Sequence, residues 1–169
     1  MKATSSKIYL AVVGPSRPRD SILELAERTG TEVARAGAIL LTGGLGGAME
    51  AASRGAKRAG GVTIGILPGP SRREANAFVD YSIPTGMGEM RNALLIRAAP
   101  GVIAVGGGGG VGTLSEIALA LRLGKPLAGL ETWQARVGGT TAGIKQAGSP
   151  REAVAAVIDA LRAAAGEDI

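Results

Sequence analysis

The chain is 169 residues long, 46% hydrophobic but only 2% aromatic, and it carries a formal charge of +5 with neither histidine nor cysteine. That length fits one domain, 1–169, able to bury ~70% of its unfolded surface. The missing residue types exclude disulfides, thiol nucleophiles, zinc–thiolate sites, imidazole metal ligands and a Ser-His-Asp triad, so no metal site is expected.

Taken in order, residues 7–13 (KIYLAVV) predict a first strand, closed by Gly14-Pro15-Ser16. Ser21 and Glu24 have capping-box spacing, and apolar residues then recur at helical intervals to Val33, with Gly37 as the stop. Residues 38–41 predict a second strand, leading into the glycine-rich turn 42–47 and a small-residue helix over 48–59. A third strand spans 62–67. The polar, Pro-rich stretch 68–78 reads as a surface loop able to close over a ligand. A short fourth strand, 79–83, precedes a helix entered near Arg91 and running to Ala98.

Residues 102–105 (VIAV) are a short apolar run, the signature of a strand buried on both faces of a parallel sheet. Five glycines follow, then Val111, Gly112, Thr113 and a helical pattern to Leu123. A sixth strand spans 127–130, and 131–148 shows little pattern. The last helix runs to about Ala165 and is announced by Ser149, Pro150 and Glu152. Strand–helix alternation of this kind predicts an α/β fold: a single Rossmann-like domain with a mostly parallel sheet flanked by helices. No apolar run approaches the ~20 residues of a membrane span, and the N-terminus lacks a signal-peptide core, so a cytosolic protein is expected.

The chemistry concentrates at the glycine run. A strand, a glycine loop and a helix N-terminus form a backbone anion site, because free N–H groups and the helix dipole converge there. Gly107, Gly108, Gly109, Gly110, Gly112 and Thr113 are therefore the candidate phosphate ligands. A poly-glycine linker is the competing reading, but a linker would not join a buried strand to an apolar helix. Thr113 and Glu116 also have capping-box spacing, which gives Glu116 a purely structural alternative. Gly14, Ser16, Gly43 and Gly44 follow strand ends, where ligands of open parallel sheets collect. The basic balance suits an acidic ligand; basic residues are scattered and stacking aromatics scarce, so nucleic acid is the weakest partner class.

Three segments together, Thr42-Gly43-Gly44 to Met49, Arg91-Asn92, and Gly109-Gly110-Val111-Gly112-Thr113-Leu114-Ser115-Glu116, resemble the LOG (Lonely Guy) family, whose signature is PGGxGTxxE with an upstream Arg-Lys. The resemblance covers nearly the whole chain. It is strongest to a short bacterial branch that includes molybdenum-cofactor carrier proteins. It implies a Rossmann-like sheet, a homodimer or homotetramer, and a phosphorylated ligand. It also places the family's catalytic arginine and glutamate on Arg91 and Glu116, and a further ligand-binding arginine on Arg97. The sequence departs from the family where Gly108 replaces the signature Pro, Asn92 replaces Lys, and Glu89 lies two residues before Arg91.

Two functions follow from the resemblance. One is a phosphoribohydrolase that cleaves the N-glycosidic bond of a nucleoside 5′-monophosphate, with no cofactor required. In that mechanism Glu116 offsets an oxocarbenium-like charge and Arg91 holds phosphate or ribose. The alternative is a non-catalytic carrier with the molybdenum cofactor, a phosphorylated pterin, as cargo. The sequence leans slightly to the hydrolase, on the retained Arg91 and Glu116.

Overall fold

The computed structural model describes residues 7–107, 110–134, 136–137, 140–141 and 143–166. Six strands, β1 (Tyr9–Val13), β2 (Ile39–Thr42), β3 (Thr63–Leu67), β4 (Tyr81–Pro84), β5 (Gly101–Val105) and β6 (Leu127–Leu130), alternate with α-helices except between β3 and β4, which a loop joins. The helices are α1 (Asp20–Arg35), α2 (Ala48–Arg58), α3 (Arg91–Ala98), α4 (Val111–Arg122) and α5 (Pro150–Ala164). Beyond β6 come a two-stranded antiparallel pair, β7 (Arg136–Val137) and β8 (Thr140–Thr141), and then β9 (Ile144–Gln146). Seven strands form one sheet in the order β4-β3-β2-β1-β5-β6-β9, and every neighbouring pair is parallel. This is the Rossmann-like α/β sheet that the alternation of elements predicts.

Period-2 alternation divides the core. Leu10, Val12, Leu40, Ile103 and Val105 face α1, α2 and α5, while Ala11, Val13, Leu41, Val102 and Ala104 face α3 and α4. Both faces are covered, as an all-parallel sheet requires. With so few aromatics, close backbone approach replaces side-chain bulk. A Cβ on Gly30 of α1 would stand 1.9 Å from the Ala52 carbonyl oxygen of α2, and one on Gly55 would stand 1.9 Å from that of Glu27.

The chain winds outward from β1 to β4, then crosses back so that β5 lies beside β1. The connection after β1 enters α1 on one face, and the connection after β5 enters α4 on the other. A crevice opens at such a reversal, outside the carboxyl ends of the two strands.

Three expected caps differ in the structure. Ser21 does not cap α1, which begins one residue earlier at Asp20 behind an extended Arg19. Helix α4 begins at Val111, so Thr113 is its third residue and not its cap. Gly110 takes the cap position at φ 136°, a conformation open to glycine, and any residue of a glycine run can serve in this way. At α5 the Ser149 side chain does accept from the Glu152 N–H, but Glu152 reaches back to the N–H of Gly148. The 68–78 loop contains a one-turn 3₁₀ helix, Arg72–Glu74, with its own capping box from Ser71 and Glu74. Strand β9, in the stretch without visible pattern, is an edge strand in which only Ile144 is buried.

Candidate functional site

A cavity of about 390 Å³ lies at the β1–β5 reversal. One wall is Gly14, Pro15 and Ser16 after β1, and another is Gly110, Val111, Gly112 and Thr113 at the start of α4. Leu45, Met49 and Pro68 add an apolar side, and Glu89, Arg91, Asn92 and Glu116 bring the polar groups. The first four N–H groups of a helix lack intrahelical partners, and in α4 these belong to the four residues from Gly110 to Thr113. The cavity is thus lined by the positive end of a helix.

Arg91 and Glu116 reach the site by helical periodicity. In α4, Thr113, Glu116, Ile117 and Ala120 form the buried stripe, so the carboxylate points inward in line with core residues. In α3, Arg91, Leu95 and Ile96 are the buried residues. Arg91 is only 6% exposed and Glu116 only 7%. Burial pushes the Glu116 carboxyl up to about 7, even with the Arg91 charge opposing the shift. Burial likewise lowers the Arg91 pKa, opposed by Glu116. Arg91 Nε is buried without a hydrogen-bond partner among the described residues. A buried guanidinium nitrogen without a partner is costly, and a helix N-terminus beside it offers no negative charge to satisfy it. The pair therefore presents an anion-attracting surface with a titratable carboxyl alongside.

The other residues singled out from the sequence fall in three places. Gly14, Ser16, Gly110, Gly112 and Thr113 line the cavity. Gly43 and Gly44 are buried behind it. The Arg91 guanidinium occupies the space that a side chain at 43 would need, with Nη1 2.0 Å and Cζ 2.6 Å from the position of a Cβ there. The Gly44 N–H donates to Thr42 Oγ1 at 3.1 Å, and its carbonyl accepts from the Asn76 side-chain amide at 3.1 Å. Arg97 and Gly107 are exposed and do not line the cavity. The Arg97 carbonyl accepts from Lys125 Nζ at 3.1 Å, so this part of α3 serves as a helix end. Gly108 and Gly109 lie outside the described residues. Leu45 and Met49 lie in a segment that carries the family resemblance, Pro15 and Pro68 carry no chemical signal in sequence, and the fold gathers all four.

A larger hollow of about 550 Å³ lies along α1 and α5, lined by Arg35, Arg151, Arg162, Glu32 and Asp159 among others. Its walls come from these two helices and the residue ending α1, and among the described residues no strand end and no buried unpaired group lines it. Arg91, Glu116 and the start of α4 line the smaller cavity.

Comparison with known proteins agrees with this architecture. The sequence matches the SLOG cluster4 family over residues 7–158. It is 41% identical over 124 residues to an uncharacterized protein of Archaeoglobus fulgidus, covering 73% of this chain and 80% of that one. The molybdenum cofactor binding protein of Rippkaea orientalis is similar in structure, with a TM-score of 0.80 and 34% identity over 96% of this chain and 99% of that one. The Moco carrier protein of Chlamydomonas reinhardtii gives a TM-score of 0.81 at 35% identity, covering 94% and 99%.

These relatives correct the hydrolase expectation. Solved structures that span nearly the whole chain at about a third identity are cofactor-binding and carrier proteins, not nucleoside monophosphate hydrolases. A retained Arg and Glu at the motif positions weighed too heavily in that expectation, because the same pair can serve binding alone. Among the described residues, no helix is long and apolar enough to cross a membrane. The match over residues 7–158 places this chain in the SLOG cluster4 family.

Proposed function

We propose that this chain is a non-catalytic carrier whose cargo is the molybdenum cofactor, held by its pterin phosphate at the N-terminus of α4. The observation that carries this reading is a helix N-terminus and a buried Arg91, its Nε without a hydrogen-bond partner among the described residues, on one cavity, in a chain a third identical to cofactor-carrying proteins. The N–H groups from Gly110 to Thr113 hold the phosphate, Arg91 supplies positive charge, and Ser16 lies on the opposite wall to meet the ligand. Leu45, Met49 and Pro68 give the flat pterin an apolar face to rest on.

The test uses cofactor released anaerobically from a molybdoenzyme. The loaded protein, after desalting, retains pterin and restores activity to a cofactor-free molybdoenzyme. Protein that emerges without pterin rules the reading out. Incubation with AMP releases no free base.

Assembly as a homodimer or homotetramer belongs to the same proposal. Met90, Leu94, Val111 and Leu114 are large apolar side chains exposed on or beside α3 and α4, between 37% and 82% open to solvent. A second copy seated on these helices covers them.

A further inference from the structure

Glu116 is a costly residue for a site that binds an anion. Its carboxyl sits within the same cavity as the N–H groups that would hold a phosphate, and when ionised it opposes them and neutralises Arg91. A site selected only for phosphate affinity would place an amide or hydroxyl here. The carboxyl is nevertheless in the buried stripe of α4, where helical geometry keeps it from swinging out to solvent.

We infer that Glu116 couples cargo binding to a proton: it takes up one proton from solvent as the phosphate enters, and its ionisation drives release. The inference rests on the carrier reading above and adds its regulation. In the loaded state an O–H bond forms on the Glu116 carboxyl with a proton drawn from water or buffer. The neutral acid donates a hydrogen bond where the carboxylate would repel, and the Arg91 charge is left for the phosphate. In the empty state above neutral pH the carboxylate's charge offsets that of Arg91, and the site carries no net charge from the pair.

The surroundings leave Glu116 as the group that responds. α3 brings Arg91 to the cavity and carries Arg97 on its exposed side. The turn before α3 brings Glu89, which lines the rim and is exposed. β5 and β6, which lie beneath α4, carry no titratable residue, and α2 contributes only Met49 to the wall. On α4 itself the one other charge is Arg122, exposed at the far end. Glu116 is pushed up to about 7, inside the range where a cell or a partner surface can protonate it. The cargo phosphate has its own second ionisation near ~6, below this window.

The experiment loads wild-type protein and Glu116→Gln with released molybdenum cofactor and measures affinity anaerobically from pH 6.5 to 8.5. Wild type weakens by about tenfold per pH unit above 7, the slope for one linked proton, and Glu116→Gln changes by less than about twofold. Mixing wild type with cofactor in weakly buffered solution at pH 8 turns it alkaline by nearly one proton per site. That second readout needs no variant, so it decides the matter even if Glu116→Gln does not fold. Retention at every pH with a flat profile, or no proton uptake, overturns this inference while leaving the carrier standing. Failure of wild type to retain pterin at any pH overturns the carrier reading, and this one with it.

Discussion

Arg91 owes its place to Gly43. The guanidinium fills the volume in front of the Gly43 Cα, so a methyl group there would lie 2.0 Å from Nη1 and 2.5 Å from Nη2. The backbone at 43 is not in the left-handed region, and it is the neighbour, not the φ angle, that demands glycine. Gly43→Ala should therefore fold and displace Arg91. Cofactor affinity should fall roughly 10- to 100-fold, the range for losing hydrogen bonds to a charged group. Arg91→Ala should cost about the same, and the double variant no more than either single one. Additive losses in that cycle would show that the glycine acts on its own.

The buried carboxyl also sets a pH dependence of folding. Glu116 has a folded-state value of about 7 against an ordinary 4.5, so the folded protein holds this proton more tightly than the unfolded chain. The contribution is full below about pH 4.5 and is lost as pH rises to about 7, at most on the order of 3 kcal/mol. Glu116→Gln, which mimics the protonated acid, should melt above wild type at pH 8. The difference should close below pH 5. Thermal melts at the two values read it directly, and a variant less stable than wild type at pH 8 would show that the ionised pair stabilises the fold.

Those two residues were legible in sequence because they sit in short motifs, whereas Gly43's service to Arg91 links segments far apart in the chain. Strands such as β5 were legible as well, since glycine or proline bounds each apolar run. β9 was not: an edge strand with Ile144 inside and Lys145 and Gln146 outside buries too little to leave a pattern. The start of α4 was misplaced by three residues at the cap for a related reason. Thr113 has the composition of a cap, but a preceding glycine run offers backbone freedom that overrides side-chain preference.

Packing of α1 on α2 gives a test of the fold independent of the site. Gly30→Ala would drive a methyl into the Ala52 carbonyl at 1.9 Å, against backbone that cannot rotate away. A loss of about 2 kcal/mol is expected, lowering the melting temperature on the order of 5 °C. An unchanged melt would mean that the two helices slide apart without penalty.

Assembly through α3 and α4 has its own variant. Leu94 is 40% exposed on α3 and lines no part of the cavity, so Leu94→Glu leaves the ligand groups in place. Light scattering should show wild type as a dimer or tetramer at micromolar concentration and the variant as a monomer. A wild-type monomer would remove the reason for the exposed leucine.

The 68–78 loop, read from sequence as able to close over a ligand, is tied to the turn at Gly44 and Leu45. Asn76 donates from its side-chain amide to the carbonyls of Gly44 and Leu45, and its backbone N–H bonds Gly44 as well. Ser71 and Glu74 lock the next turn. Of this loop only Pro68 lines the cavity, so the tie at Asn76 holds the loop's far end to the turn beside Gly43. On the carrier reading, a substitution at Asn76 would reach the cargo only indirectly, by freeing the turn whose Gly43 makes room for Arg91.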